Sequence, residues 1–416
     1  MRRLLLITAA VIVVPGDIAT KMRREVMTWR RVAGVVLALL AAGSAERVLD
    51  VAAAAQGSTR TTGVPQFEMD PTWPKLPNNW VLGTSINVAV DRRDHVWIIH
   101  RFRFVPEEDQ ERAAPPVLEF DENGNFVQAW GGPSHAYEWP DLEHGITVDY
   151  QDHVWVSGSN PIPASGSPRS DDMLLKFTRD GELVQQIGRR DQSGGNQDTQ
   201  NLKRPCEVFV YETTNEAFVA DGYGNRRVIV LDPDTGTFKR MWGGFGNTPL
   251  DPPLARPTRH HEGEGPEQFG TVHGIKVSND GLVYVADRNN QRIQLFTLDG
   301  DYLKQGFVNR NESSDPGPAG GRTVSGIAFS ADPQQQFIYV ADYSNSHVVI
   351  VERETLKVVD SFGIRSPTPG DFQGIHNLAV DSKGNLYTAE SDPNNRAQKF
   401  VFKGMSAAPG TGSTRP

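Results

Sequence analysis

One cysteine, Cys206, is the only thiol in 416 residues, so no internal disulfide framework holds this chain and its core must suffice. Positive charge is also scarce, with 42 Lys and Arg against 51 Asp and Glu and a formal charge of −9. Proteins that bind phosphate backbones concentrate Lys and Arg, so a nucleic-acid partner is not expected. Long apolar runs are missing as well. Neither hydrophobic stretch near the N-terminus cleanly reaches the roughly 20 residues that a spanning helix needs. What is plentiful is turn chemistry, 40 Gly and 28 Pro beside a hydrophobic content of 38%. That balance suits many short strands better than long helices, and an all-β fold is expected.

Residues 1–60 read as an export segment with a linker. From Met27, basic Arg30 and Arg31 precede an apolar stretch, Val32 to Ala42, and then small residues. This is the layout of a secretory signal peptide. The stretch "MRRLLLITAAVIVVPGD" before it is also basic and then apolar, which points to a start at Met22 or Met27. Arg30-Arg31 also fits a twin-arginine signal. The expected destination is periplasmic or extracellular, with an N-terminal membrane anchor as the alternative and no stable membrane insertion of the mature domain.

Beyond residue 78 a pattern returns six times. Its opening strands are "INVAVD" (86–91), "HGITVD" (144–149), "CEVFVY" (206–211), "HGIKVS" (273–278), "SGIAFS" (325–330) and "HNLAVD" (376–381). Second strands such as "HVWIIH", "LVYVAD" and "FIYVAD" follow, then third strands ending in turn residues and a fourth. Four strands in each unit of roughly 40 to 55 residues match a propeller blade and not a helical solenoid. A six-bladed β-propeller is therefore expected over residues 61–403. The polar and Gly/Pro-rich segments 191–200 and 247–268 read as long loops on one face. Residues 404–416 read as a disordered tail.

His144, His273 and His376 share one position in units two, four and six. In a propeller the innermost strands ring the central channel, and alternate blades stand a third of a turn apart. Three imidazoles then face one point on the axis, the ligand set of a catalytic Zn²⁺ with one direction left open. The other ring positions are Ile86, Cys206 and Ser325, so His is not a repeat consensus. The alternative is that each His only packs or hydrogen-bonds at the mouth of its blade. Cys206 is open to two readings, a further ligand or a small buried filler.

Second strands return toward the same face, so residues just after them border this ring. Arg101, Tyr223 and Arg288 occupy such exits. Asp287 and Arg292 fit the NHL-repeat pattern Asp-x-x-x-x-Arg-Ile-Gln-x-Phe and are expected to tie a turn together. Arg288 lies at a variable position within it, where a solvated surface Arg is the alternative. Tyr223 stands in a turn one residue longer than the turn after Asp287.

The stretches "VAVDRRDHVWIIHR", "EHGITVD", "VADGYGNRRV", "VHGIKV" and "VADRNNQRIQLF" resemble the peptidyl-α-hydroxyglycine α-amidating lyase family over about residues 80–403. The resemblance implies a zinc-dependent lyase that turns an α-hydroxyglycine carbinolamide into an amide and glyoxylate. It implies His144, His273 and His376 as zinc ligands, Tyr223 as catalytic base, Arg288 as the cation beside it and Arg101 as partner of the substrate carboxylate. Zn²⁺ would lower the pKa of the hydroxyl, and Tyr223 can act as a base only where cations favour its phenolate. It also implies a structural Ca²⁺ on backbone carbonyls matching Val88 and Ile146 and on a carboxylate after the third His. Asn377 stands at that last position, and an amide oxygen is the weaker ligand for a hard cation. Gly374 replaces a family Met, and Gly224 and Leu295 stand where the family has cysteines.

Two other functions fit six blades: a non-enzymatic exported binding scaffold, and a calcium-dependent lactonase-like hydrolase centred on Asp, Glu and Asn. The expected partner is a peptide or small-molecule α-hydroxyglycine-type substrate, and the expected state is a monomer.

Overall fold

The computed structural model describes residues 63–162, 165–251, 263–310, 321–391 and 393–406. The export segment at 1–60 and residues 407–416 of the expected tail lie outside these. Within them the chain forms six four-stranded antiparallel sheets. Each of the first five is a meander of consecutive strands, as in blade four: Val272–Val277, Val283–Asp287, Arg292–Phe296 and Tyr302–Phe307. The inner strands are Thr84–Val90, Glu143–Val148, Glu207–Tyr211, Val272–Val277, Gly326–Phe329 and Ile375–Val380. Each packs on the inner strand of the next blade and the sixth packs on the first, closing a ring. The fold is a six-bladed β-propeller.

Closure comes from the start of the domain. Val64–Asp70 pairs antiparallel with Arg396–Ser406 and forms the outer strand of blade six. Ring closure covers the sheet faces that the first and last blades would otherwise expose, and leaves each blade only short inner and outer edges. The strand Arg396–Ser406 extends three residues into the segment expected as tail from 404, because Pro65 and Val64 continue to pair with Met405 and Ser406.

Second and third strands are buried on both faces, with every residue of "VYVAD" and "RIQLF" buried in blade four, whereas outer strands are mostly half-buried with an exposed residue near the start. The apolar contacts lie between adjacent blades. Phe218, Val228 and Trp242 of blade three, for example, cluster with Ile275, Val285 and Phe296 of blade four. Turns are pinned by buried ion pairs at matching positions. Arg227 Nε lies 2.8 Å from Asp221 Oδ2, Arg292 Nε 2.8 Å from Asp287 Oδ2 and Arg396 Nε 2.7 Å from Glu390 Oε1. The Asp and Arg of the repeat thus tie the turn, as the sequence pattern predicts. Among the described residues no helix is long and apolar enough to cross a membrane.

Candidate metal centre

The three histidines sit where their strands lose register. Pairing of Val272–Val277 with Val283–Asp287 skips His273, pairing of Ile375–Val380 with Leu386–Glu390 skips His376, and the break in blade two spans His144 and Gly145. A bulge turns a residue away from the pleat and re-aims its side chain. Here each bulge aims an imidazole at the axis, and the ring centroids lie 4.8 to 5.0 Å apart.

Each ring is oriented by the following blade. His144 donates its Nδ1 proton to the carbonyl of Cys206 at 2.9 Å, His273 to the carbonyl of Ser325, and His376 to the carbonyl of Ile86 at 2.8 Å. The three acceptors are the three ring positions that carry no histidine. A carbonyl can only accept, so the Nδ1 proton is fixed and every Nε2 is left as a lone-pair donor. Burial and the nearby Arg101 cation depress the His144 pKa to about 3. Burial also holds His273 and His376 well below the usual imidazole range, with Arg288 and His144, respectively, as the next cause. All three are neutral at physiological pH.

Tyr223 lies over this centre. Its hydroxyl is 3.2 Å from His144 Nε2 and 3.1 Å from His273 Nε2, and it accepts a hydrogen bond from Arg288 Nη1 at 3.1 Å. The extra residue of its turn explains the reach. A Cβ on Gly222 would stand 1.9 Å from the Val272 carbonyl, so only glycine lets this turn lie against blade four and carry Tyr223 above His273. Arg288 is buried and is not a solvated surface residue. Its guanidinium lies 5.2 Å from the Tyr223 ring centre.

Among the described residues, His144, His273 and His376 form a group whose ligand atoms lie within 4.8 Å of one another. Three Nε2 lone pairs converge there, and one phenolic proton cannot satisfy them. A buried surplus of acceptors is what a Lewis-acidic cation would satisfy, and three neutral imidazoles with an open side suit Zn²⁺.

Arg101, at the exit of blade one, donates from Nε to the Glu143 carbonyl at 3.0 Å, and its Nη2 is 3.4 Å from Ser159 Oγ. Sequence reasoning missed the residue before it. His100 accepts from Gly83 N–H at Nδ1, 3.0 Å, and donates from Nε2 to the Pro115 carbonyl, 3.1 Å. It replaces the Asp of the repeat, which is the one signal that could have exposed it. Cys206 brings its carbonyl and not its thiol; the side chain packs in the core between blades three and four, and burial raises its pKa.

The NHL repeat model matches residues 269–296, in blade four. The chain is thus a six-bladed β-propeller with an NHL repeat in its fourth blade. The chain is 28% identical to human NHL repeat-containing protein 3 over 344 residues, 80% of this chain and 84% of that protein. It is 25% identical to peptidyl-alpha-hydroxyglycine alpha-amidating lyase 1 of Drosophila melanogaster, over 80% of this chain and 59% of that protein. It is also 25% identical to peptidyl-glycine alpha-amidating monooxygenase B of Xenopus laevis, over 79% of this chain and 35% of that protein.

Below the histidines the propeller does not suit the calcium that the resemblance implies. Asn377 is buried, and its Oδ1 accepts from Leu378 N–H at 2.7 Å. Val88 and Ile146 line a channel cavity of 240 Å³ together with Lys276. The Lys276 ammonium lies 2.5 Å from Glu207 Oε1, whose other oxygen accepts from Ile275 N–H at 2.9 Å. The carboxylate of this region is therefore already paired, and a fixed ammonium repels a divalent cation. A second acidic group, Asp91, His95 and Glu119, is likewise filled: Arg179 bonds Asp91 Oδ2 at 2.7 Å and also bonds Glu119.

Proposed function

We propose that this propeller is a metal-dependent lyase that breaks the carbon–nitrogen bond of an α-hydroxyglycine-type carbinolamide, releasing an amide and glyoxylate. The observation that carries this reading is Tyr223, whose hydroxyl contacts two of three converging imidazoles and Arg288. Relatives named as amidating lyases, at 25% identity, support it.

His144, His273 and His376 would hold Zn²⁺ through Nε2, and the ion would supply Lewis acidity toward the substrate hydroxyl. Tyr223, as a phenolate paired with Arg288, takes the hydroxyl proton at Oη. The O–H bonding pair becomes the second bond of the aldehyde, the C–N bond breaks and its pair stays on nitrogen. Nitrogen then takes that proton from Tyr223 Oη, which restores the phenolate, so the step is balanced. Arg288 steadies Oη by its hydrogen bond throughout. Arg101 pairs with the substrate carboxylate and fixes the reacting carbon over the centre.

The test is metal content by elemental mass spectrometry together with glyoxylate release from α-hydroxyhippurate. One zinc per chain with glyoxylate formed is the expected result. Metal-free protein after refolding with zinc would overturn it. A binding scaffold is the second reading, favoured by the 28% identity to a protein whose name carries no reaction; zinc bound without turnover on any α-hydroxyglycine would support it. A calcium-centred hydrolase is disfavoured by Lys276 in the channel.

A further inference from the structure

Four blades send a residue from the exit of the second strand to the rim of the histidine cup. Arg101 comes from blade one, Tyr223 from blade three and Arg288 from blade four. The fourth is Tyr343 of blade five, directly after Phe337–Asp342. Its ring lies 6.3 Å from that of His376 at 88°, and the Arg322 guanidinium covers it at 4.2 Å from the ring centre. Their segments are also joined, since the Arg322 backbone N–H donates to the Ser344 side-chain Oγ at 2.7 Å. Tyr343 is half-buried, so part of the ring remains accessible at the rim.

We propose that Tyr343 is a specificity-determining residue, the wall of a subsite for the acyl group on the scissile nitrogen, and that it selects a planar aromatic acyl group. The inference rests on the lyase reading above. In that reading the reacting carbon has its hydroxyl toward the axis and its carboxylate on Arg101 in blade one, while Tyr223 and Arg288 occupy the arc of blades three and four. The exit residue of blade two, Ser159, bonds Arg101, so the N-acyl substituent leaves through the arc of blades five and six. The exit residue of blade six is Ser391, small and bonded through Oγ to the Gly374 carbonyl at 3.2 Å. Tyr343 is therefore the large surface that the substituent meets. A ring fixed by a stacked guanidinium loses little freedom on contact, and aromatic pairs gain beyond the area they bury.

The test compares kcat/KM for N-benzoyl- and N-cyclohexanecarbonyl-α-hydroxyglycine, which are similar in size and apolar area, in wild type, Tyr343→Phe, Tyr343→Leu and Tyr343→Ala. Wild type and Tyr343→Phe are expected to favour the benzoyl substrate by roughly 3- to 10-fold. Tyr343→Leu and Tyr343→Ala are expected to bring that ratio to about 1, mainly through KM, with zinc content retained. Turnover with an unchanged ratio in the Leu and Ala variants overturns the subsite and leaves the lyase reading standing. No glyoxylate from either substrate with zinc-loaded wild type overturns the lyase reading and this proposal with it. Tyr343→Leu keeps an apolar side chain, so the comparison survives if Tyr343→Ala does not fold.

Discussion

His376 in the last blade donates its Nδ1 proton to the carbonyl of Ile86 in the first, 2.8 Å away across the join that closes the ring. The same bond is made from His144 to Cys206 and from His273 to Ser325. Orientation of the cup thus depends on backbone atoms of residues whose side chains take no part in it.

Side-chain changes at those positions should leave the centre intact. Cys206→Ala is expected to keep its metal, at a stability cost of about 1 to 2 kcal/mol from the small cavity it opens. Metal content and a urea midpoint measure the two. Loss of metal would mean that the thiol is a ligand after all.

His273→Ala should abolish metal binding and turnover together. Tyr223→Phe should retain full metal content while kcat falls by at least about 100-fold, the usual scale of a lost proton-transfer group. An active Tyr223→Phe protein would remove Tyr223 from the chemistry.

Gly222→Ala places a methyl group against the Val272 carbonyl, which has no rotamer through which to retreat. The turn must shift and take Tyr223 with it. Metal content should hold while turnover drops by about 100-fold, as misplacement of a reacting group by an ångström does. Unchanged kinetics would show that the backbone yields without moving the hydroxyl.

Calcium should neither bind nor stabilise the wild type, and the Tm of the zinc-loaded protein should be the same in calcium-free buffer as in millimolar calcium. Lys276→Ala leaves Glu207 buried without its ion pair and should lose about 3 kcal/mol or more. Part of that loss should return on adding calcium, read as a Tm shift in the variant alone.

Glu216 provides a pH test away from the site. Arg240 forks onto its two oxygens at 2.7 and 2.8 Å, and that pairing lowers its pKa to about 2. With the folded value depressed, the unfolded chain binds the proton first. The contribution is therefore complete above the unfolded value near 4.5 and is lost as pH falls toward 2. Glu216→Gln should cost about 1 kcal/mol at pH 7, a figure kept small by solvent around the pair. Denaturation at pH 3 should find most of that difference gone.

Much of this was legible in the chain as text. Strand alternation, turn residues and a sixfold recurrence are local and periodic, so the fold could be read directly. A shared repeat position sufficed to single out His144, His273 and His376, and strand exits sufficed for Arg101, Tyr223 and Arg288. Tyr343 stands at an equivalent exit and was passed over, because a Tyr after "YVAD" looks like any turn residue until Arg322 and His376 are seen beside it.

The sequence by itself determined the blades, because a side-chain period of two and the four-strand unit need no distant information. Tertiary structure alone decided three things. It chose Val64–Asp70 to close blade six, since that pairing joins residues more than 300 apart in the chain. It supplied the carbonyls of Cys206, Ser325 and Ile86, which every residue type possesses and which therefore leave no mark in a sequence. And it set Lys276 against Glu207, where the inner strand of blade four packs on that of blade three and brings an ammonium beside its carboxylate.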